Sequence, residues 1–333
     1  MINAAVVGLG WWGKQIVTSL HGKSDKITVV RGVDVDPEPV ADFLSDNNLP
    51  LYTDYQQALD DKDIDAVILT LPHSIHEEAV LRAAAAGKQI FCEKPLSLTA
   101  DSAKRMVKAC NDAGLVLGLG HERRYEPAME ELARMVKAGE LGTVMAVEAN
   151  VSHDKFQALD GANWRGNPGD APAAGWTGMG IHVTDLLISI LGPINEIRAV
   201  SARRVLDLPS GDVVSTQYVF ADGTIGTTNV VSATPVHSRL SVFGSEAWIS
   251  IFETRRLDDP GPTLVTIGRK NGDRDEIEYQ PVDTVKMNLE AWADAVNGTG
   301  TYRFTDQERI GNTAVLEALA RSTQTGVSEK VAN

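Results

Sequence analysis

Cysteine is nearly missing from this chain: its 333 residues include two, Cys92 and Cys110. Two thiols so placed exclude a disulfide framework or a zinc cluster, and Cys110 continues the apolar series Ala103, Met106, Val107, which marks it as core. No apolar run reaches membrane-spanning length. Basic residues are also short, with 31 Lys plus Arg against 45 Asp plus Glu and a net charge of -14. That balance argues against nucleic acid or an anionic membrane surface as partner, because both demand a basic face. Repeats and low-complexity tracts are absent, and the N-terminus enters Ile2–Val7 directly, which reads as a strand and not a signal peptide. What remains is an ordinary globular composition, 43% hydrophobic and 23% charged, long enough for two domains in the cytoplasm.

The stretch Gln89-Ile90-Phe91-Cys92-Glu93-Lys94-Pro95-Leu96 organises the rest. A short apolar run that stops at an acid, a lysine and a proline reads as a buried parallel strand ending at its carboxyl edge. Ligands of open α/β sheets sit at that edge. A lysine delivered there can donate a proton or polarise a hydroxyl or carbonyl oxygen, and Pro95 holds Lys94 in an extended or turn geometry.

Upstream, the apolar run Ala4–Val7 breaks into Gly8-Leu9-Gly10-Trp11-Trp12-Gly13, and Gly13, Ile16, Val17 and Leu20 then follow helical spacing. A G-x-G-x-x-G after a strand and opening a helix is a dinucleotide-binding turn. Its first glycine permits the turn, its second lets a pyrophosphate approach the backbone, and its third lets helix pack on strand. A second strand, Ile27–Val33, ends in Asp34, whose carboxylate suits the adenosine ribose hydroxyls and repels a 2′-phosphate. NAD is therefore favoured over NADP. The strand Asp65–Thr70 leads into Leu71-Pro72-His73-Ser74-Ile75-His76, which places Leu71, Pro72 and His76 at the cofactor edge. A third ligand near His73 and His76 is lacking, so metal is not expected and His76 reads as a hydrogen-bonding or packing residue. The alternation of strands and helices through Leu119 implies a doubly wound parallel sheet.

Beyond it, Pro127 and Gly139 frame a helix, and 153–177 is a long loop rich in Gly, Pro, Ala and Trp of the kind that shapes a pocket. Trp164 offers an apolar face on which a sugar stacks and Arg165 a fork of donors; the alternative is a loop-anchoring tryptophan and an arginine paired with a nearby acid. His182 opens a helix running to Gly192, where the helix start disfavours a charged ring. Asp185, one turn on, touches that ring or caps the helix. From Ile194 to Glu278 the chain reads as successive strands with hairpin turns at Asp222-Gly223 and Gly244-Ser245. The strand 247–252 reads as covered on both faces by the other domain or a partner subunit.

Taken together, Gly8–Gly13, Glu93-Lys94-Pro95, Arg123-Arg124-Tyr125-Glu126-Pro127, Trp164-Arg165 and Gly180-Ile181-His182-Val183-Thr184-Asp185 resemble the Gfo/Idh/MocA family of nicotinamide-dependent oxidoreductases. The resemblance implies an α/β chain: a Rossmann domain over 1–121 and, over 122–333, an α/β domain with a large open, mainly antiparallel sheet. It implies hydride transfer between NAD and a sugar, inositol-like or other cyclic polyol, and a homodimer or homotetramer built through the open sheet. Lys94 and His182 become the catalytic candidates. Gly8, Gly10, Trp11, Trp12, Gly13, Asp34, Leu71, Pro72, His76, Glu93 and Lys94 face the cofactor. Lys94, Arg123, Tyr125, Trp164, Arg165, Thr177, His182 and Asp185 face the substrate. Two departures stand out: Gly178 replaces the aspartate many members carry four residues before the histidine, and Glu122 replaces an asparagine before the double arginine. An NAD-dependent glycoside hydrolase, an aromatic dihydrodiol dehydrogenase and a dinucleotide sensor without turnover are the alternatives.

Overall fold

The computed structural model describes residues 1–159, 163–173, 175–254 and 260–332. They divide into two compact units, Met1–Glu122 with Asp283–Arg309, and Arg123–Val282 with Ile310 onward. In the first, β1 (Ile2–Val7), β2 (Ile27–Val33), β3 (Leu51–Tyr52), β4 (Ala66–Leu69), β5 (Gln89–Cys92) and β6 (Leu117–Leu119) form one parallel sheet in the order β3-β2-β1-β4-β5-β6. Strand order reverses between β1 and β4, and at that switch point α/β sheets open a ligand crevice at their carboxyl edge. The crossovers are α1 (Trp11–Leu20), α2 (Ala41–Asp46), α3 (Tyr55–Asp60), α4 (His76–Ala85) and α5 (Ala100–Asp112). Strands buried on both faces need continuous apolar sequence, and Ala66, Val67, Ile68 and Leu69 of β4 are all fully buried.

The second unit is organised by a nine-stranded sheet. Its strands are β7 (Val144–Ser152), β8 (Ile194–Ala202), β9 (Val213–Phe220), β10 (Ile225–Val231), β11 (His237–Gly244), β12 (Ala247–Glu253), β13 (Thr263–Arg269), β14 (Arg274–Tyr279) and β15 (Glu329–Lys330). They run β14-β13-β12-β11-β7-β10-β9-β8-β15, antiparallel except where β7 lies beside β10. Helices α6 (Pro127–Lys137) and α7 (Ile181–Leu191) belong to the same unit, and Met129, Val183 and Leu186 line one small cavity with Val151 and Leu240 of the sheet. On β12 the burial alternates: Ala247, Ile249 and Ile251 are buried, Trp248 and Ser250 half-buried, and Phe252 exposed. The expectation of cover on both faces of this strand is therefore not met within the chain.

The first unit also draws on residues far beyond the expected boundary at 121. Helix α8 (Thr284–Val296), far along the chain, belongs to the first unit, and α9 (Asp306–Thr325) is shared between the two. The α8 stripe Leu289, Trp292 and Ala293 is fully buried in the Rossmann core, with the Trp292 ring edge-on to Phe91 at 5.7 Å and its indole N–H donating to the Val116 carbonyl at 2.9 Å. Periodicity identifies such a helix but not the sheet against which it packs. No helix among the described residues is long and apolar enough to cross a membrane.

One loop of the second unit depends on a single carboxylate. Asp212, almost fully buried, accepts the N–H groups of Arg204, Val205 and Leu206 at 2.8, 2.6 and 2.7 Å. Burial works to raise its pKa but is outweighed by these backbone donors, which hold it below the ordinary 3.8. A depressed folded pKa contributes stability above the unfolded value that is lost as pH falls through the folded one. Asp212→Asn is thus expected to cost about 1–3 kcal/mol at pH 7, with the penalty shrinking below about pH 4; urea unfolding at both pH values checks this.

Candidate functional site

At the carboxyl edge of the first sheet, the glycine turn is shaped as its sequence requires. Gly8 has φ +90 and sits so close to β4 that a Cβ would lie 2.8 Å from the Thr70 carbonyl oxygen. Gly13 meets the turn itself: a Cβ there would lie 2.0 Å from the Gly8 carbonyl oxygen. Gly10 is the opposite case, since a Cβ would meet nothing within 4 Å, which leaves open space in front of the backbone. No side chain caps α1 and no acid lies in its first turn, so the amides of Trp11, Trp12 and Gly13 are set for an anion. Trp11 is exposed and Trp12 packs on the core.

Asp34, at the end of β2, accepts the Leu9 N–H at 2.7 Å through one oxygen and the Asp36 N–H at 3.1 Å through the other. The carboxylate expected to meet a ribose thereby also pins the glycine turn. A residue missed in the sequence does the same from the other side: the Thr70 hydroxyl reaches the carbonyls of Val7, at 3.0 Å, and Gly8. Its only signal was its place at the end of an apolar strand. His76 is fully buried, its Nδ1 2.9 Å from the Pro95 oxygen and its Nε2 3.0 Å from the Leu71 oxygen. It ties the Leu71-Pro72 loop to the loop that carries Lys94.

Beyond β5, Glu93 is buried while Lys94 is half-buried. The Glu93 carboxyl fits over the bare Cα of Gly120, where a Cβ would lie 2.4 Å from it. Burial pushes this carboxyl up to about 7, with the Lys94 ammonium pulling it down and the Glu122 carboxylate pushing it up. An acid that titrates near neutrality thus sits beside the candidate catalytic amine. Cys92 is buried in the same strand and its thiol is held well above its ordinary value by burial, so it is inert.

In the second unit a small cavity is lined by Arg123, His182, Val183, Ser238, Arg239 and Glu253, among others. Arg123 is not an open fork: it makes a bidentate pair with Glu253. Arg124 pairs with Asp185 through Nε and Nη2, both at 2.7 Å, with both side chains almost fully buried. Asp185 is therefore the counter-charge of a buried arginine, and the expectation that it caps a helix start is overturned. The reason lies in the preceding residues. Trp176–Gly180 form a π-helical turn that runs straight into α7, so His182 sits inside helical backbone and the dipole argument for its neutrality fails. Thr177 is fully buried and its hydroxyl accepts the Ala173 N–H at 3.2 Å, and Tyr125 is buried as well. Trp164 and Arg165 lie half-buried on a 3₁₀ turn, and residues 160–162 and 174 of the same loop fall outside the described residues.

Two family models cover these units in turn: the oxidoreductase family with NAD-binding Rossmann fold matches residues 2–121, and the GFO/IDH/MocA C-terminal domain matches 129–250. This chain belongs to the Gfo/Idh/MocA family. Relatives across nearly its whole length include scyllo-inositol 2-dehydrogenase (NAD(+)) of Bacillus subtilis, 29% identical over 98% of this chain and 95% of that protein. D-xylose 1-dehydrogenase (NADP(+)) 2 of Haloferax volcanii is 26% identical over 83% of each. Among solved structures, the aldose-aldose oxidoreductase of Caulobacter crescentus complexed with glycerol superposes with a TM-score of 0.86 at 22% identity, over 99% of both chains, which speaks to fold. As a Gfo/Idh/MocA oxidoreductase the chain keeps the family's glycine turn and Glu93-Lys94-Pro95 but lacks its aspartate at 178. A Cβ on Gly178 would meet nothing within 4 Å, so packing does not impose the glycine.

Proposed function

We propose that the protein transfers hydride reversibly between NAD and a carbinol carbon of a sugar, inositol-like or other cyclic polyol. The observation that carries this reading is the buried Glu93 beside Lys94 at the same sheet edge as the glycine turn. When bound, NAD supplies the hydride acceptor at C4 of its nicotinamide. Gly8, Gly10, Gly13 and the first amides of α1 would hold the pyrophosphate, Asp34 the adenosine ribose, and Leu71 and Pro72 the adjoining edge; His76, expected there too, is fully buried on the Pro95 and Leu71 carbonyls and would act by holding that edge in place. Lys94 would hold and polarise the substrate hydroxyl, and His182 is the candidate for taking or returning its proton. Scyllo-inositol and D-xylose, named for the relatives, support the polyol class.

NADH absorbance with a panel of cyclic polyols and aldoses tests the reaction. Reduction of NAD by at least one of them is expected, whereas release of a chromogenic aglycone without net NADH would move the chain to the glycoside hydrolases. NAD is the preferred cofactor because Asp34 faces the place of a 2′-phosphate. Like charges so juxtaposed cost several kcal/mol, so kcat/KM should favour NAD over NADP by at least about tenfold. Asp34→Asn should narrow that ratio; an unchanged ratio places the discrimination elsewhere. The protein assembles as a homodimer or homotetramer through the open sheet, a reading supported by Trp248, Phe252 and Leu264 on its less buried face. Light scattering checks the assembly. The acidic surface, free buried cysteines and lack of a membrane-spanning helix among the described residues support a cytoplasmic enzyme without nucleic-acid or membrane partners.

A further inference from the structure

Among the described residues, Arg165 has no counter-charge. Its guanidinium lies 4.2 Å from the centroid of the Trp164 ring, on a turn that is itself held in place. The Asn163 side chain accepts the Arg165 N–H at 3.1 Å, the Gly166 carbonyl accepts the Ser210 hydroxyl at 3.2 Å, and a Cβ on Gly166 would lie 2.7 Å from Leu208. Ser210 and Leu208 belong to the loop pinned by Asp212. Two buried or half-buried arginines of the same unit do have carboxylate partners: Arg123 pairs with Glu253 and Arg124 with Asp185. Among the described residues no carboxylate pairs with Arg165. Burial alone acts on its pKa, and it acts downward.

A partly desolvated cation without a carboxylate beside it is costly, and a turn whose contacts hold one in place has reason to. The planar fork of an arginine matches carboxylate and phosphate geometry, while the aromatic ring beneath it fixes the plane and offers an apolar face. We infer that Trp164 and Arg165 form a subsite for an anionic oxo group, a carboxylate or a phosphate monoester, carried by the polyhydroxylated substrate. This rests on the reading under Proposed function that the chain binds such a substrate. It narrows the class from neutral polyols to sugar acids or sugar phosphates.

The test uses the full chain with NAD and four probes: D-glucose, D-glucuronate, D-gluconate and D-glucose 6-phosphate. Calorimetry gives affinities and NADH absorbance gives turnover, each for the wild type, Arg165→Met and Arg165→Lys. At least one anionic probe is expected to bind about 10- to 100-fold more tightly than glucose. That gap should collapse in Arg165→Met and return in part in Arg165→Lys, with the uronate and aldonate arms separating carboxylate from phosphate. Removing a half-buried charge that no described carboxylate offsets should not lower the unfolding midpoint of Arg165→Met, whereas an arginine kept for structure would lower it. Equal affinity for glucose and the anions, no binding of any probe, or a gap that survives Arg165→Met overturns the subsite. Arg165-dependent binding without any turnover sinks the redox reading and leaves the subsite standing.

Discussion

Replacing Lys94 by alanine is expected to cut kcat by about 10²- to 10⁴-fold, the range of a positioned proton transfer, while NAD affinity stays within a few-fold. The separation follows from the architecture. On the proposed reading, phosphate and ribose would be served by backbone amides of the glycine turn and by Asp34, not by Lys94. Unchanged turnover in Lys94→Ala, with NAD binding intact, would remove the amine from the mechanism and leave His182 as proton carrier.

The neighbour of Lys94 gives this prediction a pH signature. Glu93 titrates at about 7, above the 4.5 of an ordinary glutamate. Below that value the carboxyl is neutral; above it the carboxylate stands beside the Lys94 ammonium and favours its charged form. The rate profile should therefore bend near neutrality, and the bend should vanish in Glu93→Gln. Stability supplies an independent readout. A folded pKa raised above the unfolded one stabilises the fold below the unfolded value, and this contribution is lost as pH rises through the folded value. Between pH 4.5 and about 7 the wild type thus loses a contribution that Glu93→Gln never has, so the variant should gain relative stability at pH 8 and not at pH 4. A difference between the two proteins that is the same at both pH values would show that Glu93 is not the group titrating.

What the sequence made legible is what depends on neighbours along the chain. The glycine turn, the acid ending β2 and the lysine following β5 are set by backbone sterics within a few residues, and each lies where its spacing put it. Helix α3 starts with a local signal of the same kind, the reciprocal capping box of Asp54 and Gln57. Contacts between distant segments were not legible. Trp292 reaches Phe91 and the Val116 carbonyl across most of the chain, and no periodicity names the partner of an apolar stripe. The Thr70 hydroxyl that clamps the glycine turn, and the carboxylates that fill the forks of Arg123 and Arg124, are equally invisible to spacing. The π turn at Trp176–Gly180 defeated the reading of His182 for a local reason: glycines that announce a helix start can also sit inside a continuous helix.

The buried pair Arg124–Asp185 should give the largest stability effect in the molecule. Both side chains are withdrawn from water, at 4% and 1% exposure, and two parallel N–H···O bonds of 2.7 Å join them. Asp185→Ala leaves a guanidinium buried without this carboxylate, and the loss expected from such a break is about 3–5 kcal/mol. Arg124→Met strands the carboxylate and should cost a similar amount. Replacing both at once, as Arg124→Met with Asp185→Leu, removes the desolvation penalty together with the attraction, so the double variant should recover most of the loss. Unfolding by urea around the cycle measures the coupling. Asp185 lies one helical turn beyond His182, so the pair also anchors α7 below the candidate base. If the stable double variant still turns over poorly, the pair positions His182; if its activity returns with its stability, the pair serves the fold alone.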